Sequence, residues 1–134
     1  MKYLLDTNTC VQFLRYGTAS PVAAKLAAVN PGDVGLCSVV VAELLFGALR
    51  SQQTAKNLAD VQAFTSGFHS LPFDDRAAAE YATVRTDLTA KGTPIGPNDL
   101  MIAAIALANG LTLVTYNTVE FSRVVGLTLD DWQI

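Results

Sequence analysis

Lys2-Tyr3-Leu4-Leu5-Asp6-Thr7-Asn8-Thr9-Cys10 decides the fold. The apolar residues up to Leu5 predict a short buried strand. Asp6, Thr7, Asn8 and Thr9 then offer several side chains able to cap a helix, and Cys10 to Tyr16 reads as that helix. A strand running directly into a capped helix is the start of a β-α unit, and an acid stands at the junction.

Reading outward, the same alternation repeats. Ser20-Pro21 restarts a helix through about Val29, with proline at an early position where its missing N–H does no harm. Asn30-Pro31-Gly32-Asp33 is a turn, and Val34 to Cys37 a second strand. Ser38 is expected to cap a helix reaching about Arg50. Thr54 to Ser66 is amphipathic, with Leu58, Val61 and Phe64 on one face. Ser70 to Phe73 reads as a third strand. Asp74 caps a long helix to about Lys91, which Gly92 stops. Gly96-Pro97-Asn98 introduces a helix from Asp99 to Asn109-Gly110. A fourth strand spans Leu111 to Thr115, a short helix Thr118 to Val124, and a last strand Leu127 to Leu129. Short apolar strands alternating with helices predict an α/β sandwich, with a central, mostly parallel sheet surrounded by helices and one domain over residues 1–134. Ligands of such sheets gather beyond the carboxyl ends of the strands. Asp6 and Asn117 follow strands closely, and so does Ser38, which opens the helix carrying Glu43.

The chain has 134 residues, 51% hydrophobic and 16% charged, with a formal charge of −3. That composition supports one real core and argues against disorder. It provides no basic stripe for strong nonspecific nucleic-acid binding, unless bound cations dominate the local field. A basic partner would suit it. Cys10 and Cys37 sit in apolar neighbourhoods without ligand spacing, which excludes structural zinc and predicts small buried thiols. Reduced thiols fit the cytoplasm. The start of the chain lacks a signal-peptide core, and the apolar run Leu100–Ala108 is far short of a membrane span.

Three acids interrupt apolar runs. Asp6 ends the first strand, Glu43 lies within Val39-Val40-Val41-Ala42-Glu43-Leu44-Leu45-Phe46, and Asp99 opens the run to Ala108. Each has a structural alternative: Asp6 as a helix cap, Glu43 paired with an arginine such as Arg85, Asp99 as a first-turn acid favouring the helix dipole. Buried carboxylates are costly unless compensated, and three from distant segments suggest an oxygen-rich site for Mg²⁺ or Mn²⁺. Such a cation would polarise a phosphodiester and activate water. Asp6 and Asp99 are the first choices as direct ligands. Glu43 is a ligand or a residue that orients the water, and Asn117 a neutral oxygen donor or a turn residue. Glu120 is ambiguous, and the other acids read as solvated. Arg15, Arg85 and Lys91 are candidates for phosphate contact, with solvated helix charges as their alternative. The single histidine, His69, reads as a surface residue. No GxSxG elbow, P-loop or GxGxxG occurs.

The segments Leu4-Leu5-Asp6-Thr7-Asn8, Glu43-Leu44-Leu45-Phe46-Gly47, Pro94-Ile95-Gly96-Pro97-Asn98-Asp99-Leu100-Met101 and Val114-Thr115-Tyr116-Asn117-Thr118-Val119-Glu120-Phe121, in this order, resemble PIN-domain ribonucleases. More narrowly they resemble the VapC toxins of bacterial toxin–antitoxin pairs. The resemblance runs the whole chain. It implies a PIN-like fold and a Mg²⁺- or Mn²⁺-dependent endoribonuclease using Asp6, Glu43 and Asp99. It also implies structured RNA, with tRNA a candidate, as substrate, a toxin homodimer, and a VapB-type antitoxin whose basic or aromatic residues plug the acidic groove. Many PIN domains carry a fourth acid where this chain has Asn117. Two rivals remain: a haloacid-dehalogenase-like phosphatase with Asp6 as nucleophile, which wants an Asp where Asn8 stands, and a PIN-like module that binds RNA or protein without cutting.

Overall fold

The structure, a computed structural model, describes residues 1–134. Five strands, β1 (Tyr3–Leu5), β2 (Val34–Cys37), β3 (His69–Leu71), β4 (Thr112–Val114) and β5 (Leu129–Asp130), form one sheet in the order β3-β2-β1-β4-β5. Every pairing is parallel, with Leu4 opposite Gly35 on one side and Leu113 on the other. Seven helices connect and cover them: α1 (Thr7–Tyr16), α2 (Pro21–Ala28), α3 (Ser38–Leu49), α4 (Thr54–Thr65), α5 (Asp75–Ala90), α6 (Pro97–Ala108) and α7 (Thr118–Phe121).

The strand order fixes where a site can form. From β1 the chain steps to β2 and β3 in one direction, then returns past β1 to β4 and β5. Right-handed crossovers therefore put α1 to α4 on one face and α5 with α6 on the other. The direction reverses between β1 and β4, and the crevice at their carboxyl ends is the topological switch point. Asp6 follows β1, and Thr115 and Asn117 follow β4, so all three border that crevice.

The buried apolar side chains make one continuous cluster. Leu4, Leu5, Leu36, Leu113 and Val114 supply the sheet's part, and Trp132 closes it by packing edge-on against Tyr3. Residues 102–106 of α6 are wholly buried, as expected of a helix apolar all round. Each buried Leu or Ile there contributes roughly 1.5–3 kcal/mol, which anchors the helix that carries Asp99. Helices α5 and α6 end alike. Thr93 N–H reaches the Leu88 carbonyl and Leu111 N–H the Ala106 carbonyl, with Gly92 and Gly110 at φ 68° and 64°. Only glycine adopts that left-handed turn without strain.

Several boundaries differ from expectation. Helix α1 begins at Thr7 rather than Cys10, because Asp6 caps it, and α7 ends at Phe121 rather than Val124. Helix α6 begins at Pro97 rather than Asp99, because proline is pre-organised for the first turn. Ser38 is the first residue of α3 and not its cap. Cys37, still extended, holds the cap position, and the Ser38 hydroxyl instead reaches the Leu71 carbonyl at 3.4 Å. Strand β3 is shifted to His69–Leu71 because its register is set by pairing with Gly35–Cys37, and β5 to Leu129–Asp130 by pairing with β4. His69 is exposed on β3, and both cysteines are buried and free.

Candidate active site

Asp6 is the most buried acid, 5% exposed. It is the N-cap of α1, the structural role weighed for it from the sequence. Its Oδ1 accepts from the Thr9 N–H at 2.9 Å, and its Oδ2 accepts from the Thr115 hydroxyl at 2.5 Å. Burial pushes its carboxyl above the ordinary range. The Thr115 and Thr9 hydrogen bonds pull the other way, and the Glu43 charge adds to the push.

Glu43 lies midway along α3. The Thr7 hydroxyl donates to its Oε1 at 2.6 Å, and the Asn98 amide reaches its Oε2 at 3.4 Å. No arginine pairs with it. Arg85 lies elsewhere, its guanidinium donating to the Tyr81 hydroxyl at 3.0 Å and stacked on that ring. Glu43 lines a groove of about 510 Å³ between α1, α3 and α4, with Val11, Leu14, Leu44 and Val61 as apolar lining and Arg15, Lys56 and Asp60 as further charged lining.

Asp99, third residue of α6, completes the trio. Burial raises its carboxyl to about 6, helped by Glu120, then Glu43, then Asp6. The charges that act on one another here come from β1, α3, α6 and α7, four segments distant in sequence. Asp6, Glu43 and Glu120 are thus near enough for their charges to act on Asp99, with Glu120 an acid the sequence left ambiguous. Its Oε1 accepts from the Gly96 N–H at 3.2 Å, and its Oε2 accepts from the Asn117 amide. Asn117 stands at the site, but its Nδ2 is engaged in holding Glu120, and its backbone N–H donates to the Thr115 hydroxyl at 2.9 Å. The place left by the missing fourth acid after the strand is filled three residues later, one turn into α7. Sequence reading passed over Thr7, Asn98 and Thr115. Glu120 carried one usable signal: like Asp99, it is a first-turn acid on a helix that opens at the sheet's carboxyl edge.

The ion pairs of the molecule lie elsewhere, so Asp6, Glu43, Asp99 and Glu120 meet no lysine or arginine. Carboxylates whose charges crowd Asp99 and Asp6, steadied only by neutral donors, fit a hard divalent cation. No three of them converge into a ready-made coordination shell. Magnesium suits that spacing, since it keeps several waters and takes one or two direct carboxylates. The hydroxyls of Thr7 and Thr115 are the kind of outer partners that orient ligands.

Of the three cations expected near phosphates, Arg15 borders the site groove and Arg85 a separate cleft, while Lys91 pairs with Asp87 at 3.0 Å. Arg123, overlooked in the sequence, reaches the Pro94 carbonyl at 3.5 Å. No helix is long and apolar enough to cross a membrane.

Comparison with known proteins identifies the family. Residues 3–127 match the PIN domain family. The chain is 39% identical over 132 residues to the tRNA(fMet)-specific endonuclease VapC of Shigella flexneri, covering 98% of each chain. It is 35% identical over 132 residues to ribonuclease VapC2 of Rickettsia felis, again over 98% of each. Among solved structures it is similar to a chain of the DNA-bound VapBC complex of Salmonella typhimurium, with a TM-score of 0.93, 36% identity and 98% of each chain covered. FitAcB of Neisseria gonorrhoeae gives a TM-score of 0.86 at 31% identity, covering 98% of this chain and 99% of that one.

Proposed function

The chain belongs to the PIN-domain family, and on that premise we propose that it is a single-domain, divalent-metal-dependent endoribonuclease, the toxin of a toxin–antitoxin pair. One observation supports the reading: carboxylates from four separate segments lie near enough for Glu120, Glu43 and Asp6 to act on Asp99, and none has a cationic partner. Asp6 and Asp99 would hold Mg²⁺ or Mn²⁺, with Glu43 and Glu120 beside them to complete an oxygen-rich site. When bound, the ion supplies Lewis-acid polarisation of the phosphate and a water of lowered pKa.

The chain's own groups set the rest. Thr115 fixes Asp6 Oδ2, and Thr7 fixes Glu43 Oε1, so neither carboxylate turns away when the crevice fills. Glu43 keeps its second oxygen toward Asn98 and the crevice, placed to accept a proton from the attacking water. Asn117 and the Gly96 N–H hold Glu120 against the start of α6. A phosphatase with Asp6 as nucleophile would want a second Asp two residues later, where Asn8 stands.

Structured RNA is the proposed substrate, with tRNA first in line because the Shigella flexneri relative is named for one. The proposed partner is a VapB-type antitoxin. The groove between α1, α3 and α4 suits it, with an apolar lining for a peptide and Glu43 in its wall for a basic residue. An acidic chain with no basic stripe leaves any DNA contact of such a complex to that partner. A homodimer in the cytoplasm completes the proposal.

Cleavage of total cellular RNA by the purified chain in Mg²⁺ or Mn²⁺, beside Asp99→Asn and a chelator, tests it. Discrete fragments that vanish in both controls are expected. RNA left intact by folded, metal-loaded, antitoxin-free protein would shift the assignment to a non-cleaving binding module.

A further inference from the structure

Opposite the acid cluster, across the Pro94–Pro97 loop, lies a second cleft of about 270 Å³ between α5, this loop and the start of α6. Leu88, Pro94, Ile95 and Leu100 make it apolar, and Tyr81 and Arg85 give it a polar edge. Arg85 has no carboxylate partner. Its guanidinium is 5.8 Å from the Tyr81 ring centre, and Tyr81 is itself braced edge-on against Phe73 at 5.8 Å. The cation is thus pre-oriented by an aromatic pair, which lowers the entropy lost when it engages a ligand.

The loop joins this cleft to the acids. Pro94 and Ile95 face the cleft, Gly96 N–H binds Glu120, and Asp99 follows two residues later. Arg123 lies on the Pro94 carbonyl, so a second cation without a carboxylate partner borders the same loop. Apolar walls beside a fixed, planar cation match the faces and carbonyl edge of an unstacked base better than a bare phosphate, which needs charge alone.

We propose that the Tyr81–Arg85 cleft is a subsite for one unpaired nucleobase of the RNA substrate, and that it selects where the chain cuts. The proposal rests on the endoribonuclease assignment above. The probe is a fluorescent hairpin RNA with an unpaired loop, together with versions in which each loop nucleotide in turn is abasic. Binding is read by anisotropy to Asp99→Asn protein in Mn²⁺. One abasic position should weaken binding about tenfold. Arg85→Ala in that background should erase this difference. Arg85→Lys should erase it too, since it keeps the charge but not the planar group, and Tyr81→Phe should reduce it. In cleavage-competent protein Arg85→Ala should raise KM about tenfold and leave kcat within about twofold.

Arg85→Ala that binds every probe as its parent does, or weakens all probes equally, overturns the proposal. So does Arg85→Ala that turns a dimer into a monomer in sedimentation, which would make the cleft an interface between copies. Base discrimination lost with Arg85 while the wild-type chain cuts no RNA in any metal would uphold the subsite and defeat only the nuclease assignment.

Discussion

Asp33 and Asp6 are acids at opposite edges of the same sheet, one just before β2 and the other just after β1. Asp33 has cations around it, the Met1 ammonium at 3.8 Å and Lys2 at 3.9 Å. Asp6 and the three acids near it have only neutral donors: backbone N–H groups of Thr9 and Gly96, hydroxyls of Thr7 and Thr115, amides of Asn98 and Asn117. Neutral donors orient a carboxylate without cancelling its charge. One edge is electrostatically finished within the chain, and the other is steadied in shape but left short of positive charge. That shortage is unfavourable for the fold alone and favourable for capturing a cation.

The contrast breaks most sharply at Asp99. Asp99→Asn should lower RNA cleavage at least about a hundredfold with the circular dichroism spectrum unchanged. Wild-type rates from a folded variant would remove Asp99 from the site. Chelation should match that loss, with Mg²⁺ or Mn²⁺ restoring it, and full activity in excess chelator would dismiss the metal. Thr115→Val comes next. It keeps the volume but frees Asp6 Oδ2, and should weaken metal binding or activity about 10- to 100-fold. Titration calorimetry with Mn²⁺ would check it, and unchanged affinity would make Thr115 a packing residue.

A smaller effect has the opposite sign. In chelator, Asp99→Asn should melt about 2–4 °C above wild type, because it removes one of four mutually repelling charges. The Asp99 carboxyl is raised to about 6, so the folded chain holds that proton more tightly than the unfolded one. The stability this confers is complete below the ordinary carboxyl value and is lost as pH rises through about 6. The melting gap between variant and wild type should therefore widen from about pH 4 to about pH 7 and close on adding Mn²⁺. A gap that ignores pH would contradict the shared-charge account. The smallest effect belongs to the other edge. Asp33→Asn should leave cleavage untouched and change stability by no more than about 0.5–1 kcal/mol in urea unfolding, as for other partly exposed ion pairs. A loss of activity there would mean that the edges are coupled.

What could be read from the chain alone follows the same division. Asp6, Glu43 and Asp99 stand out because each interrupts an apolar run, and such a run leaves a charge few places to go. Helix starts at Ser20 and Asp74 are local chemistry: Asp74 caps as expected, and the Ser20 hydroxyl caps as well. Thr7 and Thr115 were not legible, since a hydroxyl gains its role from a partner 36 or 109 residues away. Glu120 sits on a helix of four residues, too short to show an apolar face. Lys91 could have been set aside from the sequence, because Asp87 precedes it by four positions on a helix. The edges of β3 and β5 were misplaced because a strand's limits are fixed by its neighbour's hydrogen bonds and not by its own residues.

The Thr115–Asp6 bond also bears on how the chain is made. A ribosome releases Asp6 and Glu43 early, and α1 to α4 can pack while the rest is still being added. Until β4 emerges and slots beside β1, nothing holds Asp6 Oδ2, and Glu120 does not yet exist. The translating ribosome is thereby spared a working nuclease until synthesis is nearly over.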